Sequence, residues 1–308
     1  MTVRPGVAYR SVESITLSAT EVKLAPGDTI RLTATVLPAN AQNKSLRWEK
    51  DPTVNVVSID EKNVITAVAP GVCYIRAEAE DDGGAAALCK VTVAYTMDGH
   101  DYVDLGLPSG TLWATCNIGA SNPEDSGLYF AWGETSGYTT NDERNFNWTN
   151  YAYGDLIYDK LTYSFYKYNT KEEYGTVDSL TELTEEDDAA CVNWSTNWRM
   201  PSQAQVKELM NTSFTDVVWT TRNNVNGYLI TSKINGYIGN SIFLPAAGYR
   251  SGLQLMLTAQ NTYWSRSLKP ESPQCAYAIQ FHSNDIGCYS WDRFLGNPVR
   301  PVTTATNH

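Results

Sequence analysis

At 308 residues and 34.1 kDa, with 42% hydrophobic residues, the chain holds enough apolar material for packed cores and is long for one domain. A net charge of −11 and a pI near 4.8 exclude a nucleic-acid backbone as partner, because phosphate contacts need a basic face. No apolar run spans a bilayer and Met1 to Arg10 carry no apolar signal core, so either the protein stays inside the cell or its export signal lies outside this sequence. The 19 Tyr and 9 Trp outnumber the 7 Phe, an excess of rings with polar handles that suits a β protein presenting amphipathic rings to a partner.

Residues 1–11 read as an N-terminal extension. From Val12 to Val93, short stretches alternate polar and apolar residues, as in Ser14-Ile15-Thr16-Leu17 and Thr29 to Leu37. That is the pattern of half-buried strands. Pro26-Gly27-Asp28, Pro38-Ala39-Asn40 and Pro70-Gly71 break it. About seven strands over 12–95 predict a small all-β sandwich, with Trp48 plugging its core. Six cysteines without a CxxC pair do not make a disulfide scaffold. A hairpin turning at Asp82-Gly83 would pair Cys73 with Thr92 and Cys89 with Arg76. That register leaves the two sulfurs unbridged.

Several blocks here are specific: Ile15-Thr16-Leu17, Leu24-Ala25-Pro26-Gly27-Asp28-Thr29, Leu32 to Ala41, Leu46-Arg47-Trp48, Ile65 to Gly71 and Cys89 to Val93. On them the segment resembles the bacterial Ig-like group 2 domain. The resemblance implies a spacer on an exported or surface-attached bacterial protein, with a lipid or surface anchor upstream of this sequence.

Past the polar connection Tyr95 to His100, Trp, Tyr, Asn and Gly become frequent and strand alternation grows irregular. Gly133 to Tyr174 has no firm period and reads as an ordered excursion or lid. Thr184 to Val192 reads as a helix with a Thr cap and a solvated, dipole-matched acidic first turn. A second helix follows Pro201, with Ser202 as cap and Val206, Leu209 and Met210 on its packed face.

The blocks Tyr102 to Ala120, Tyr129 to Thr135, Asn197 to Ser202, Ile242 to Arg250, Tyr263-Trp264-Ser265 and Val299-Arg300-Pro301-Val302 follow one another over 96–303. They resemble the Fibrobacter major-paralogous domain family, which is similar to C-type-lectin-like folds. The implied fold class is multidomain: an all-β Ig-like sandwich followed by an α+β C-type-lectin-like domain, with 304–308 as a C-terminal tail. The implied location is secreted or at the cell surface, as for exported Bacteroidetes proteins.

The chemistry points to recognition rather than catalysis. Phosphate loops, HExxH and GxSxG are absent from the sequence, and only three His argue against a structural zinc site of ordinary spacing. The calcium strings of sugar-binding C-type lectins are missing, so binding is expected to be calcium-independent, with no metal or cofactor. The resemblance also extends to formylglycine-generating enzymes, which lends interest to Cys275 and Cys288 and gives an oxidase as the alternative reading. A structural subunit of a pilus or surface layer is the other. Trp198-Arg199 and Val299-Arg300-Pro301 read as framework, not as substrate clamps.

Between Tyr263 and Val302, Ile279, Phe281 and Ile286 are expected to face inward. Ala278, Gln280, His282, the run Gly287 to Asp292, Phe294 and Leu295 are expected on display. Aromatic anchors interleaved with polar groups have the composition of binding hot spots. The candidate ligand site for a protein or glycan is therefore Arg266, His282, Cys288, Tyr289, Ser290, Trp291, Asp292, Phe294 and Leu295. This frame resembles the variable proteins of diversity-generating retroelements, which are diversified at C-terminal Asn codons. All of these residues except Trp291 are products of randomising the first two bases of an Asn codon; Gln274 and Gln280 are not.

Overall fold

Polar–apolar alternation and frequent breakers give nine strands among the described residues up to Val93: β1 Ser14–Leu17, β2 Glu21–Leu24, β3 Thr29–Arg31, β4 Ala34–Leu37, β5 Leu46–Lys50, β6 Val57–Ile59, β7 Val64–Ala67, β8 Gly71–Ala79 and β9 Ala86–Val93. The computed structural model describes residues 9–157, 162–256 and 261–304, and the chain divides into two compact units at Thr96/Met97. Residues 305–308, and with them nearly all of the expected C-terminal tail, lie outside the described residues.

In the first unit β2, β9, β8 and β5 form one sheet, β3, β7 and β6 a second, and β1 pairs with β4. Leu17, Val57, Ile65, Ile75, Cys89 and Val91 fill the interior, and Trp48 packs against it half-buried. Val12, assigned to the start of the sandwich, is buried, and its amide donates to Asp81. The β8–β9 hairpin differs by one residue from expectation: Cys73 faces Val91 and Ile75 faces Cys89. Cross-strand partners share a face, so the expected register would have turned Cys89, Val91 and Val93 outward. Burying that apolar set fixes the register. Both thiols are buried and free.

The second unit is also β-rich. It contains β10 Tyr95–Met97 at the junction, β11 His100–Asp104, β12 Thr111–Ala114, β13 Gly154–Ile157, β14 Thr162–Phe165, α1 Ala189–Asn193 and α2 Gln203–Leu209. Then come β15 Thr215–Arg222, β16 Val225–Ser232, β17 Ser241–Pro245, β18 Tyr249–Ser251, β19 Gln254–Met256, β20 Asn261–Leu268, β21 Cys275–His282, β22 Asp285–Asp292 and β23 Val302–Thr304.

Ser202 caps α2 in a reciprocal capping box with Gln205, and Val206 and Leu209 are buried. The Thr184–Val192 stretch is not one helix. A single 3-10 turn at Glu185–Asp187 precedes α1, whose cap is Asp188. Nor is its acidic start wholly solvated. Asp188 is fully buried, accepting from the amides of Ala190, Cys191 and Met200, and Asp187 is buried as well. Sequence position alone made them first-turn acids; satisfying buried amides makes them structural.

The sheet β20-β21-β22 is the centre of this unit. One face carries Trp264, Ala276 and Ala278 into a core with Trp132, Trp198 and Leu268. The other carries Tyr263, Ile279 and Phe281 into a core with Trp113, Leu209 and Ile230. The 133–174 excursion builds its own aromatic cluster from Phe146, Trp148, Tyr151 and Phe165.

Three fully buried arginines, Arg250, Arg293 and Arg300, tie loops to this frame. Arg300 donates to Asn117 Oδ1 at 2.8 Å and to the carbonyls of Ala114, Thr115 and Phe243 at 3.2, 2.8 and 3.0 Å. Arg250 donates to the carbonyls of Thr139 and Asp142, both at 2.7 Å. The Arg293 guanidinium lies 4.3 Å from the Phe165 ring centroid and donates to the Tyr168 carbonyl. Each charge is balanced by carbonyl dipoles or ring faces, which is what keeps a buried guanidinium tolerable.

Candidate functional site

The period of two splits the expected surface run across the two faces of its strand. β22 lies at the edge of its sheet and pairs antiparallel with β21 alone: Ala276 faces Trp291, Ala278 faces Tyr289, Gln280 faces Gly287 and His282 faces Asp285. Tyr289 and Trp291 therefore share the alanine face. Cys288, Ser290 and Asp292 point the other way.

On the alanine face, Tyr289 is 45% exposed and donates from its hydroxyl to Asp285 Oδ2 at 3.1 Å. That hydrogen bond, and then the carboxylate's charge, holds the phenol above its ordinary pKa. The ring lies along its own strand over Gly287, where a Cβ would fall 2.5 Å from Tyr289 Cε2. Trp291 is half-buried against the core, its ring centroid 5.4 Å from that of Tyr249 and its Nε1 donating to Gln280 Oε1 at 3.1 Å. His282 sits at the hairpin tip, opposite Asp285. These residues make a small platform of rings edged by an amide, an imidazole and a carboxylate.

The remaining expected site residues are elsewhere. Leu295 is 5% exposed and belongs to the core, so its display is corrected: the chain turns inward after Asp292. Phe294 is half-buried, 5.1 Å from the Trp148 ring, and packs rather than protrudes. Ala278 is fully buried, because the sheet is covered on both faces at that point. Cys288 packs against the second core. Ser290 accepts from Lys269 Nζ, and Asp292 accepts from Cys275 Sγ at 3.6 Å.

Arg266 sits in the bulge of β20, two strands from β22. Its Nε donates to Glu182 Oε2 at 2.5 Å and its Nη1 to the Met200 carbonyl at 3.1 Å. The expected run thus yields two ring anchors and one imidazole on one face. Tyr249 joins them without any local signal, contributed by a strand some forty residues upstream.

Thiol chemistry finds a poor setting here. Cys275 faces Asp292 while Cys288 faces Ile279, so four residues of strand separate the two sulfurs' positions. Burial, and then the charge of Asp292, pushes the Cys275 thiol up to about 12. Burial raises Cys288 as well. Both therefore stay protonated near neutrality, whereas a reactive cysteine needs thiolate character.

Among the described residues no helix is long and apolar enough to cross a membrane. Residues 11–91 match the model of the bacterial Ig-like domain (group 2). An uncharacterized protein of Clostridium acetobutylicum is 38% identical over 80 residues, which are 26% of this chain and 8% of that protein. Solved structures with some similarity include the PKD domain of human KIAA0319, at 18% identity and TM-score 0.21, covering 30% of this chain and 91% of that one. The surface layer protein SbsC, at 11% identity and TM-score 0.23, covers 76% of this chain and 25% of that one. The N-terminal unit of this chain carries a bacterial Ig-like domain of group 2.

Proposed function

We propose that the chain is an exported bacterial recognition protein, secreted or held at the cell surface, whose second unit is a C-type-lectin-like head and whose Ig-like unit is a spacer. The head binds a protein or glycan through the Tyr249, Tyr289 and Trp291 platform, without calcium and without catalysing a reaction. The reading is carried by one observation: a 45% exposed Tyr289 on an edge strand, beside Trp291 and its tilted ring contact with Tyr249, ringed by Gln280, His282 and Asp285. Such rings lose little conformational entropy on docking and offer large contact area. The chemistry of Cys275 and Cys288 supports the non-catalytic reading. On a retroelement-diversified frame, the exposed position Tyr289 would be free to change while Ala276 and Ala278 beside it stay packed.

The test is an array of bacterial and host surface glycans and proteins, probed with the wild-type chain and with Tyr289→Ala. The expected result is a chelator-insensitive binder that the variant loses by about tenfold or more, as for a hot-spot aromatic. Binders that Tyr289→Ala and Trp291→Ala both retain would place the site elsewhere.

A further inference from the structure

A polar cleft of about 520 Å3 at the bulge of β20, lined by none of the platform residues, has Glu182, Glu185, Asn197, Arg199, Arg266 and Thr303 among its walls. Its walls are sewn together by main-chain hydrogen bonds. Arg199 and Val302 exchange theirs at 2.9 and 2.8 Å, Leu183 donates to Arg266 at 3.0 Å, and Arg266 donates to Pro201 at 2.8 Å. The charged lining balances, two arginines against two glutamates, so the cleft selects neither a plain anion nor a plain cation.

The hydrogen bonds within it leave groups of both charges unspent, the buried Arg199 Nη1 among them. Glu182 is engaged on both oxygens, Oε2 by Arg266 Nε and Oε1 by Ser267 Oγ at 2.8 Å. Arg266 uses Nε and Nη1 on the protein and keeps Nη2, on a side chain that is 24% exposed. Glu185 gives Oε1 to Arg199 Nη2 at 3.2 Å and keeps Oε2, on a side chain 63% exposed. An open guanidinium donor and an open carboxylate oxygen lining one cleft complement a carboxylate and an ammonium carried by one small molecule.

We infer that this cleft is a second binding site, independent of the ring platform, for a small zwitterion: the head of an α-amino acid or a short peptide with both ends free. Both charged contacts are partly exposed, so affinity is weak, in the millimolar range.

Saturation-transfer NMR on the whole chain with glycylglycine tests this, with N-acetyl-glycylglycine and glycylglycinamide as capped controls. Glycylglycine should give a saturable signal that each cap weakens by about fivefold, the loss of one exposed charge pair. Glu185→Gln, which alters only an exposed side chain, should weaken glycylglycine and abolish its advantage over the N-acetyl form. Arg266→Lys, which keeps the charge but removes the fork, should abolish the advantage over the amide. Tyr289→Ala should change nothing, which separates this site from the platform. The inference is overturned by the absence of a saturable signal, by equal binding of capped and free peptides, or by glycylglycine binding that Glu185→Gln leaves intact.

Discussion

Arg300→Met is the most direct probe of how the second unit is held together. The guanidinium makes four hydrogen bonds with no exposed surface, and their partners lie on two segments far apart in sequence: 114–117, at and just after the end of β12, and Phe243 on β17. Burial depresses its pKa, yet no carboxylate is needed, since the acceptors are one amide oxygen and three carbonyls. Methionine keeps the aliphatic stem and removes every donor. Hydrogen bonds to a charged group contribute about 1.5–3 kcal/mol each, but relaxation and water entry recover part of the loss. Breaking such a buried charged network therefore costs about 3–5 kcal/mol. For a unit of this size that lowers the melting temperature by roughly 6–20 °C. Lysine should fall in between, because three donors on a point charge cannot reproduce a planar fork that reaches four acceptors. Eight of the nine tryptophans lie beyond Met97, so intrinsic fluorescence during urea unfolding is dominated by this unit, with Trp48 alone reporting the Ig-like one. A loss below about 1 kcal/mol for Arg300→Met would refute the reasoning.

Two further outcomes follow from the packing. Trp291→Ala should cost about 1.5–2.5 kcal/mol, roughly half the penalty of a fully buried tryptophan, while Tyr289→Ala leaves the melting temperature unchanged; equal effects on both would mean the platform is not divided into a packed and a displayed ring. Asp187 gathers Lys167 Nζ at 2.6 Å and the hydroxyls of Tyr153 and Tyr168. Burial pushes its carboxyl up, but Lys167 and the two tyrosines outweigh that and hold it below the ordinary carboxylate range. A depressed acid stabilises the fold above its unfolded pKa of about 3.9 and loses that contribution as pH falls through the folded value. Asp187→Asn should therefore destabilise the unit at pH 7 by about 3–5 kcal/mol and flatten the acid limb of its stability curve below about pH 4. Parallel acid limbs for the two proteins would show that the carboxylate does not carry the effect.

What was legible in the sequence was what local chemistry decides. The breakers and alternation of 12–95 locate a β-sandwich, and Ser202 three residues before Gln205 locates a cap, because turns, strands and caps are set by neighbours within a few positions. The Thr184 helix fails for a non-local reason. Asp188 is drawn away from a solvated turn by the Met200 amide, twelve residues downstream, a partner that no local pattern announces. The site divides along the same line. Tyr289 is visible as an exposed ring in its own strand, whereas Arg266 is claimed by Glu182 and Met200 across the molecule, and Tyr249 arrives from a different hairpin.

The alanines of β21 explain why this division falls where it does. Ala278 lies between Trp264 on β20 and Tyr289 on β22, and Ala276 between Leu268 and Trp291. A methyl group in the middle strand leaves room for large side chains on both sides, and Trp264 and Leu268 take that room from the inner side and are wholly buried. On the outer side Trp291 leans into it far enough to meet Tyr249 and the core, while Tyr289 instead folds along its own strand onto Gly287 and Asp285. Strand alternation alone predicts that Tyr289 and Trp291 share a face, but not that one is half in the core and the other nearly half exposed. The small residues opposite them and the glycine beneath Tyr289 set that difference, so the surface that a ligand would meet is shaped by residues it never touches.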